Sequence, residues 1–188
     1  MSPSVFDRVE GLLTRAGADF QVLRHEPVYT SEEAARVRGT PLASGAKALV
    51  CKGEEGFVMF VVPADRKLDS HAVRRAKGWR KLRFATREEV LALTGLAPGS
   101  IPPFGSLFGL RTLCDERLAD QDVINFNAGD HSISVSMPYA EYVRVERPEL
   151  GRFAESAAGE HVSRMDDHPL DKLERDPGQT GSPGAKGR

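Results

Sequence analysis

Most of the signatures that announce a chemistry are missing from this chain. Its two cysteines, Cys51 and Cys114, lie far apart and form no CxxC pair. That spacing indicates neither a disulfide framework nor a metal site, and both read as reduced core residues of a cytosolic, cytoplasmic protein. The five histidines, at positions 25, 71, 131, 161 and 168, show no metal-ligand spacing, which argues against a zinc hydrolase and predicts no metal. No apolar run approaches the ~20 residues of a membrane span, and the start carries no signal-peptide h-region, so no membrane association is expected. A GxSxG elbow, a Walker A loop and a GxGxxG after a strand are all absent, which removes the common nucleophile and nucleotide-cofactor signals. There are no internal repeats. Neither sign of charge dominates: 26 Lys and Arg stand against 27 Asp and Glu.

What remains is an ordinary soluble composition, 188 residues with 40% hydrophobic and 28% charged. One domain of about 150 residues, burying roughly two-thirds of its unfolded surface, is the natural reading. It is placed at residues 1–148. Residues 149–188 read as a mostly disordered polar tail, with at most a helical turn near Leu170 to Leu173, because they are poor in apolar side chains and end in a Pro/Gly/Ser-rich run. Within the domain, Ser2-Pro3 is expected to open a first helix with a core stripe of Val5, Val9, Leu12, Leu13 and Ala16, stopped by Gly17. Capping boxes at Thr30-Ser31-Glu32-Glu33 and Thr86-Arg87-Glu88-Glu89 predict helices that end at Gly39 and Gly95. Asp69 caps a short basic helix that ends at Gly78. Strands are expected over Phe20 to Arg24, Ala46 to Cys51, Phe57 to Val62, Leu82 to Ala85, Arg111 to Asp115, Asp122 to Phe126 and His131 to Met137, with a hairpin loop from Lys52 to Gly56. Strands outnumber long helices and several are joined by hairpins, which favours an α+β fold over a doubly wound sheet. The expectation is one mixed, curled, barrel-like sheet of about six to seven strands with helices around it.

Lys47 is the most telling residue. It sits in the apolar run Ala46-Lys47-Ala48-Leu49-Val50-Cys51, whose period of two makes both strand faces otherwise apolar. Burying an ammonium there costs several kcal/mol unless it meets an anion or opens into a wet cleft. Lys47 is therefore either paired in the core or directed into a pocket, and the pocket is the expectation. Three other segments are candidates to converge on it. The loop Gly99-Ser100-Ile101-Pro102-Pro103-Phe104-Gly105 combines glycines that allow close backbone approach with prolines that stiffen the path, and rigid N–H groups suit a developing oxyanion. Asn127-Ala128-Gly129-Asp130-His131 leads into a strand whose alternation places His131 on the apolar face with Ile133, Val135 and Met137, where it is either a core histidine or a pocket group. Tyr29, Thr30 and Ser31 stand at a helix start, where N–H groups favour anions and Thr30 serves as cap. Finally, Arg66 to Arg83 carries eight basic residues, Arg74, Arg75, Lys77, Arg80 and Lys81 among them, against a single acid, Asp69. Such a cluster is either a solvated face or a track for a phosphate backbone.

A protein without an activated nucleophile or a metal still hydrolyses a substrate that is already reactive, and an aminoacyl ester is one. His25-Glu26-Pro27-Val28-Tyr29-Thr30-Ser31-Glu32-Glu33-Ala34-Ala35, Gly45-Ala46-Lys47-Ala48-Leu49-Val50, Gly99 to Gly105 and Phe126-Asn127-Ala128-Gly129, in that order, resemble the YbaK/ProX family. Its members are free-standing trans-editing deacylases related to the editing insertion of bacterial prolyl-tRNA synthetase, and the resemblance spans roughly residues 3–146. It implies a mixed α/β fold with a curled sheet, and hydrolysis of the ester joining a wrong amino acid to its tRNA. It implies no cofactor, tRNA as partner and, further, an association with a synthetase. The family's essential lysine falls on Lys47, and its glycine-rich loop on Gly99, Ser100, Ile101 and Gly105. The family's Gly-Gly-x-Ser-Pro version is altered here, so the loop is expected to act through its backbone. Tyr29, Thr30, Ser31, Asn127, Gly129 and His131 are then expected at the substrate, and the basic cluster at the acceptor stem. Ala, Ser or Thr on a non-cognate tRNA is the expected substrate, with cysteine open. A non-catalytic tRNA-binding module and a synthetase-docking subunit are the competing readings.

Overall fold

The computed structural model describes residues 2–156. The expected turn at Leu170 to Leu173 lies outside them, as does most of the expected tail. Helix α1 (Val5–Arg15) starts two residues after Pro3 because Ser4 and Asp7 form a reciprocal capping box, and it buries Val9 and Leu13. Strand β1 (Gln21–Arg24) follows, then α2 (Ser31–Arg38), held at its start by the Thr30–Glu33 capping box and stopped by left-handed Gly39. A single 3₁₀ turn, Leu42–Ser44, leads into the hairpin of β2 (Ala46–Gly53) and β3 (Gly56–Pro63). Next come α3 (Ser70–Lys77), the two-residue β4 (Arg83–Phe84) and α4 (Arg87–Thr94). Strands β5 (Arg111–Asp115), β6 (Val123–Asn127) and β7 (Ile133–Pro138), helix α5 (Tyr139–Glu146) and a short β8 (Glu149–Gly151) complete the described residues.

The α+β class is borne out; the barrel is not. The strands form two separate sheets, β1-β7-β6 and β4-β2-β3-β5-β8, whose backbones are bridged among the described residues by an isolated parallel pairing of Gly45 with Asn125. The reason lies in β3. Its alternate residues feed two cores, Met59 and Val61 on one face and Val58, Phe60 and Val62 on the other. A closed barrel has one inside, whereas this sheet has two apolar faces, each covered separately. One is covered by α1 and by Ile124, Phe126, Val135 and Met137 of the smaller sheet. The other is covered by Leu68, Val73, Trp79 and Phe153. The edge strands β4 and β8 are two and three residues long, too short to close the sheet on itself.

Strand β8 follows Pro148 directly. It pairs in parallel with β5, and buried Asp115 accepts hydrogen bonds from the N–H groups of Phe153 and Ala154, each at 2.7 Å. The Phe153 ring then stands edge-on to Phe60 at 5.5 Å.

Candidate active site

The seam between the two sheets opens into a cavity of about 230 Å³. This is below the ~300–1,000 Å³ typical of sites for drug-sized ligands, so it suits a small group. Four elements build most of its wall, and Thr40, Pro41, Leu42, Gly45 and Ala64 complete it. Helix α2 contributes Ser31, Ala34, Ala35 and Arg38, positions spaced i, i+3, i+4 and i+7 on one face, where the two alanines leave room. Strand β2 contributes Ala46, Lys47 and Ala48; β6 contributes Asn125, Phe126 and Asn127; the proline-containing loop contributes Gly99 and Ile101. Tyr29 and Thr30 stand at its edge.

The Lys47 side chain is half-buried and its ammonium donates to the Arg66 carbonyl at 2.8 Å. Burial holds its pKa below that of an ordinary lysine; the negative charges of Glu32 and Asp65 oppose that shift and Lys67 adds to it. A cation bound to one neutral acceptor in a cavity wall retains donors for a ligand.

The loop is fixed by its carbonyls. The Gly99 carbonyl accepts from the Asn127 side-chain amide at 2.8 Å, and the next carbonyl, of Ser100, accepts from the Gly129 N–H, also at 2.8 Å. Gly99 has φ +91, open to glycine, and a Cβ there would sit 3.3 Å from the His131 ring. The Ser100 N–H faces the Ala97 carbonyl at 3.3 Å, and the Gly105 N–H donates to Thr112 Oγ1 at 3.0 Å. Pro102 and Pro103 have no N–H. Ile101 is buried as a residue and lines the cavity, and its N–H meets no acceptor among the described residues.

The cavity therefore gathers Lys47, Tyr29, Thr30, Ser31, Gly99, Ile101 and Asn127. Four expected residues, Ser100, Gly105, Gly129 and His131, do not line it. Ser100 is buried with its hydroxyl on the Ala97 carbonyl, Gly105 packs on Thr112 and Leu110, and Gly129 lies against Val5 of α1. His131 belongs to the turn before β7, so strand alternation does not set its direction; its Nδ1 meets the Val28 carbonyl at 3.1 Å, and its ring packs on Tyr29 at 4.8 Å between centroids. A carbonyl only accepts, so Nδ1 carries the proton. The basic cluster lies outside the cavity wall. Lys77 is paired with Glu149 at 2.7 Å and Arg74 caps the Ser70 carbonyl, while Arg75, Arg80 and Lys81 are exposed.

Residues 25–145 match the aminoacyl-tRNA editing domain. The chain belongs to that family. Among its relatives is the Escherichia coli K12 multifunctional Ser/Thr-tRNA deacylase ProXp-y, 39% identical over 155 residues, a match covering 80% of this chain and 93% of the relative. The prolyl-tRNA editing protein ProX of Acetoanaerobium sticklandii is 24% identical over 68% of this chain and 81% of its own. A stretch of 122 residues is 34% identical to 21% of a proline–tRNA ligase from Trichlorobacter lovleyi. The crystal structure of a candidate trans-editing enzyme for prolyl tRNA synthetase superposes with a TM-score of 0.73 at 30% identity, over 83% of this chain and 99% of that one.

Within this editing domain, sequence reasoning missed Arg38. Its Nη2 donates to Asn127 Oδ1 at 2.6 Å and its Nε to Ser134 Oγ at 2.8 Å. Burial lowers its pKa to about 10, and no carboxylate pairs with it among the described residues. The signal was present as the small-residue face Ser31, Ala34, Ala35 ending in an arginine.

Proposed function

We propose that this chain is a trans-editing hydrolase that cleaves the ester bond of mischarged aminoacyl-tRNA, with seryl- and threonyl-tRNA as its foremost substrates. Family membership carries the reaction class, and the Ser/Thr specificity of the deacylase from Escherichia coli supplies the substrate class. The single structural observation in support is one small cavity that holds both a half-buried ammonium and a wall residue, Ile101, whose N–H has no acceptor among the described residues.

In this reading the 3′-terminal adenosine enters over Tyr29, and the ester carbonyl accepts from the Ile101 N–H as negative charge builds on its oxygen. Lys47 holds the terminal phosphate or the carbonyl side of the substrate, fixing it for attack. The oxygen of a water adds to the carbonyl carbon, the bond to the ribose oxygen breaks, and the water's proton passes to the departing ribose oxygen through a neighbouring substrate hydroxyl. Free amino acid and deacylated tRNA leave. The cavity's size excludes larger side chains, acting as a second sieve. Association with a synthetase is part of the same proposal, supported by the likeness to a region of proline–tRNA ligases.

A panel of mischarged tRNAs assayed with wild type and Lys47→Ala tests this. The expected result is release of serine and threonine by wild type and none by the variant at unchanged fold. A wild-type chain that binds tRNA without turnover would make it a binding module instead.

A further inference from the structure

We propose that Arg38 is a positioning residue, whose guanidinium orients the Asn127 carboxamide so that this amide clamps the Gly99 carbonyl and fixes the backbone that meets the ester. The proposal rests on the deacylase reading and goes beyond it by assigning two side chains the task of shaping the loop.

The chemistry of the two end groups dictates the orientation between them. A guanidinium only donates, so the Asn127 atom 2.6 Å from Arg38 must be the amide oxygen. A backbone carbonyl only accepts, so the atom 2.8 Å from Gly99 O must be the amide nitrogen. Swapping the amide would break both bonds together. Arg38 is itself held at a second point, since its Nε donates to Ser134 Oγ at 2.8 Å and that hydroxyl also meets His25 Nε2 at 2.7 Å.

The clamp acts on the reaction through peptide planarity. In a trans peptide, C=O and N–H point to opposite sides, so holding a carbonyl aims the N–H of the same unit. Asn127 holds the Gly99–Ser100 peptide and the Gly129 N–H holds the Ser100–Ile101 peptide. The second unit carries the Ile101 N–H, and its neighbour is the flexible one, joined at Gly99 with φ +91. Without the clamp, the Gly99 unit keeps only the 3.3 Å bond from the Ser100 N–H to the Ala97 carbonyl, and a turn of that unit shifts the Ile101 donor that follows it. A lysine in place of Arg38 keeps the charge but presents no planar fork to serve Ser134 and Asn127 together.

The test uses the full chain with Arg38→Lys and Asn127→Asp, singly and combined. The aspartate keeps an acceptor for Arg38 and sets an oxygen against the Gly99 carbonyl. Turnover of seryl-tRNA and the amide NMR signals of residues 99–101 are read in each. Expected are a kcat loss on the order of 100-fold in each single variant, with KM for tRNA little changed, shifted signals at residues 99–101, and a double variant no worse than the poorer single. A loss confined to KM, full activity in Arg38→Lys, additive losses in the double variant, or unmoved loop signals in the folded variants would overturn the proposal. Should wild type lack turnover on every mischarged tRNA, the deacylase reading fails, and the loop signals alone then decide whether the clamp exists.

Discussion

At the scale of single residues, Lys47 combines a functional gain with a stability cost. Burial lowers its pKa, so the native state holds this proton less tightly than the unfolded chain does. Between the folded value and the ordinary 10.5, the unfolded state binds more protons, and the stability contribution of this group rises with pH. At neutral pH the desolvation cost is therefore present in full. Lys47→Met is expected to abolish deacylation while leaving the denaturant midpoint at pH 7 equal to or above that of wild type, an advantage that shrinks as the pH climbs through that window. A clear drop in midpoint would make the bond to the Arg66 carbonyl a structural anchor instead. Lys47 was legible in sequence because an ammonium inside an apolar strand contradicts its own surroundings. Arg38 was not, because a basic residue in the last turn of a helix is what the helix dipole favours anyway, and that ordinary use concealed its place in the cavity wall. His131 was assigned a direction from strand alternation, but the ladder begins at Ile133, and its contacts with Val28 and Tyr29 come from distant parts of the chain.

Among the elements, α2 sets the bore of the cavity through Ala34 and Ala35. Ala35→Leu adds three carbons to that wall, and one methylene in a fitted pocket is worth about 1–3 kcal/mol of discrimination. The variant is expected to keep its fold and to lose threonyl-tRNA turnover more than seryl-tRNA turnover; equal losses would mean that the aminoacyl group lies elsewhere. Helices of this kind were legible, since Thr30, Asp69 and Thr86 with Gly39, Gly78 and Gly95 mark their ends by local chemistry. Strand β8 was not, because Glu149-Leu150-Gly151 has no strand pattern of its own and is held by Asp115 from far along the chain. Asp115→Ala leaves the Phe153 and Ala154 donors without their acceptor, at about 1–3 kcal/mol for each buried group left unpaired. Its urea midpoint should fall accordingly, and an unchanged midpoint would detach β8 from the stability of the domain. The false expectation of a barrel has a similar origin. Periodicity reports which faces are buried and is silent on which edges meet.

For the molecule as a whole, an acidic and basic count that nearly cancels conceals an uneven surface. Arg75, Arg80 and Lys81 are exposed, whereas Lys77 of the same segment is neutralised by Glu149 at 2.7 Å. If the exposed three track the acceptor stem, each phosphate they neutralise releases counterions, and log(kcat/KM) falls with log salt by about 0.7–0.9 per contact. Replacing all three by glutamine should then raise KM at physiological salt and flatten that slope by about 2 to 3, with kcat nearly unchanged because the cavity wall contains none of them. Lys77→Gln is the internal control. Its charge is already matched, so it should leave the slope close to that of wild type. Parallel slopes for wild type and the triple variant would return this face to plain solvation, and the RNA would have to be gripped nearer the seam, where Lys47 and Arg38 lie.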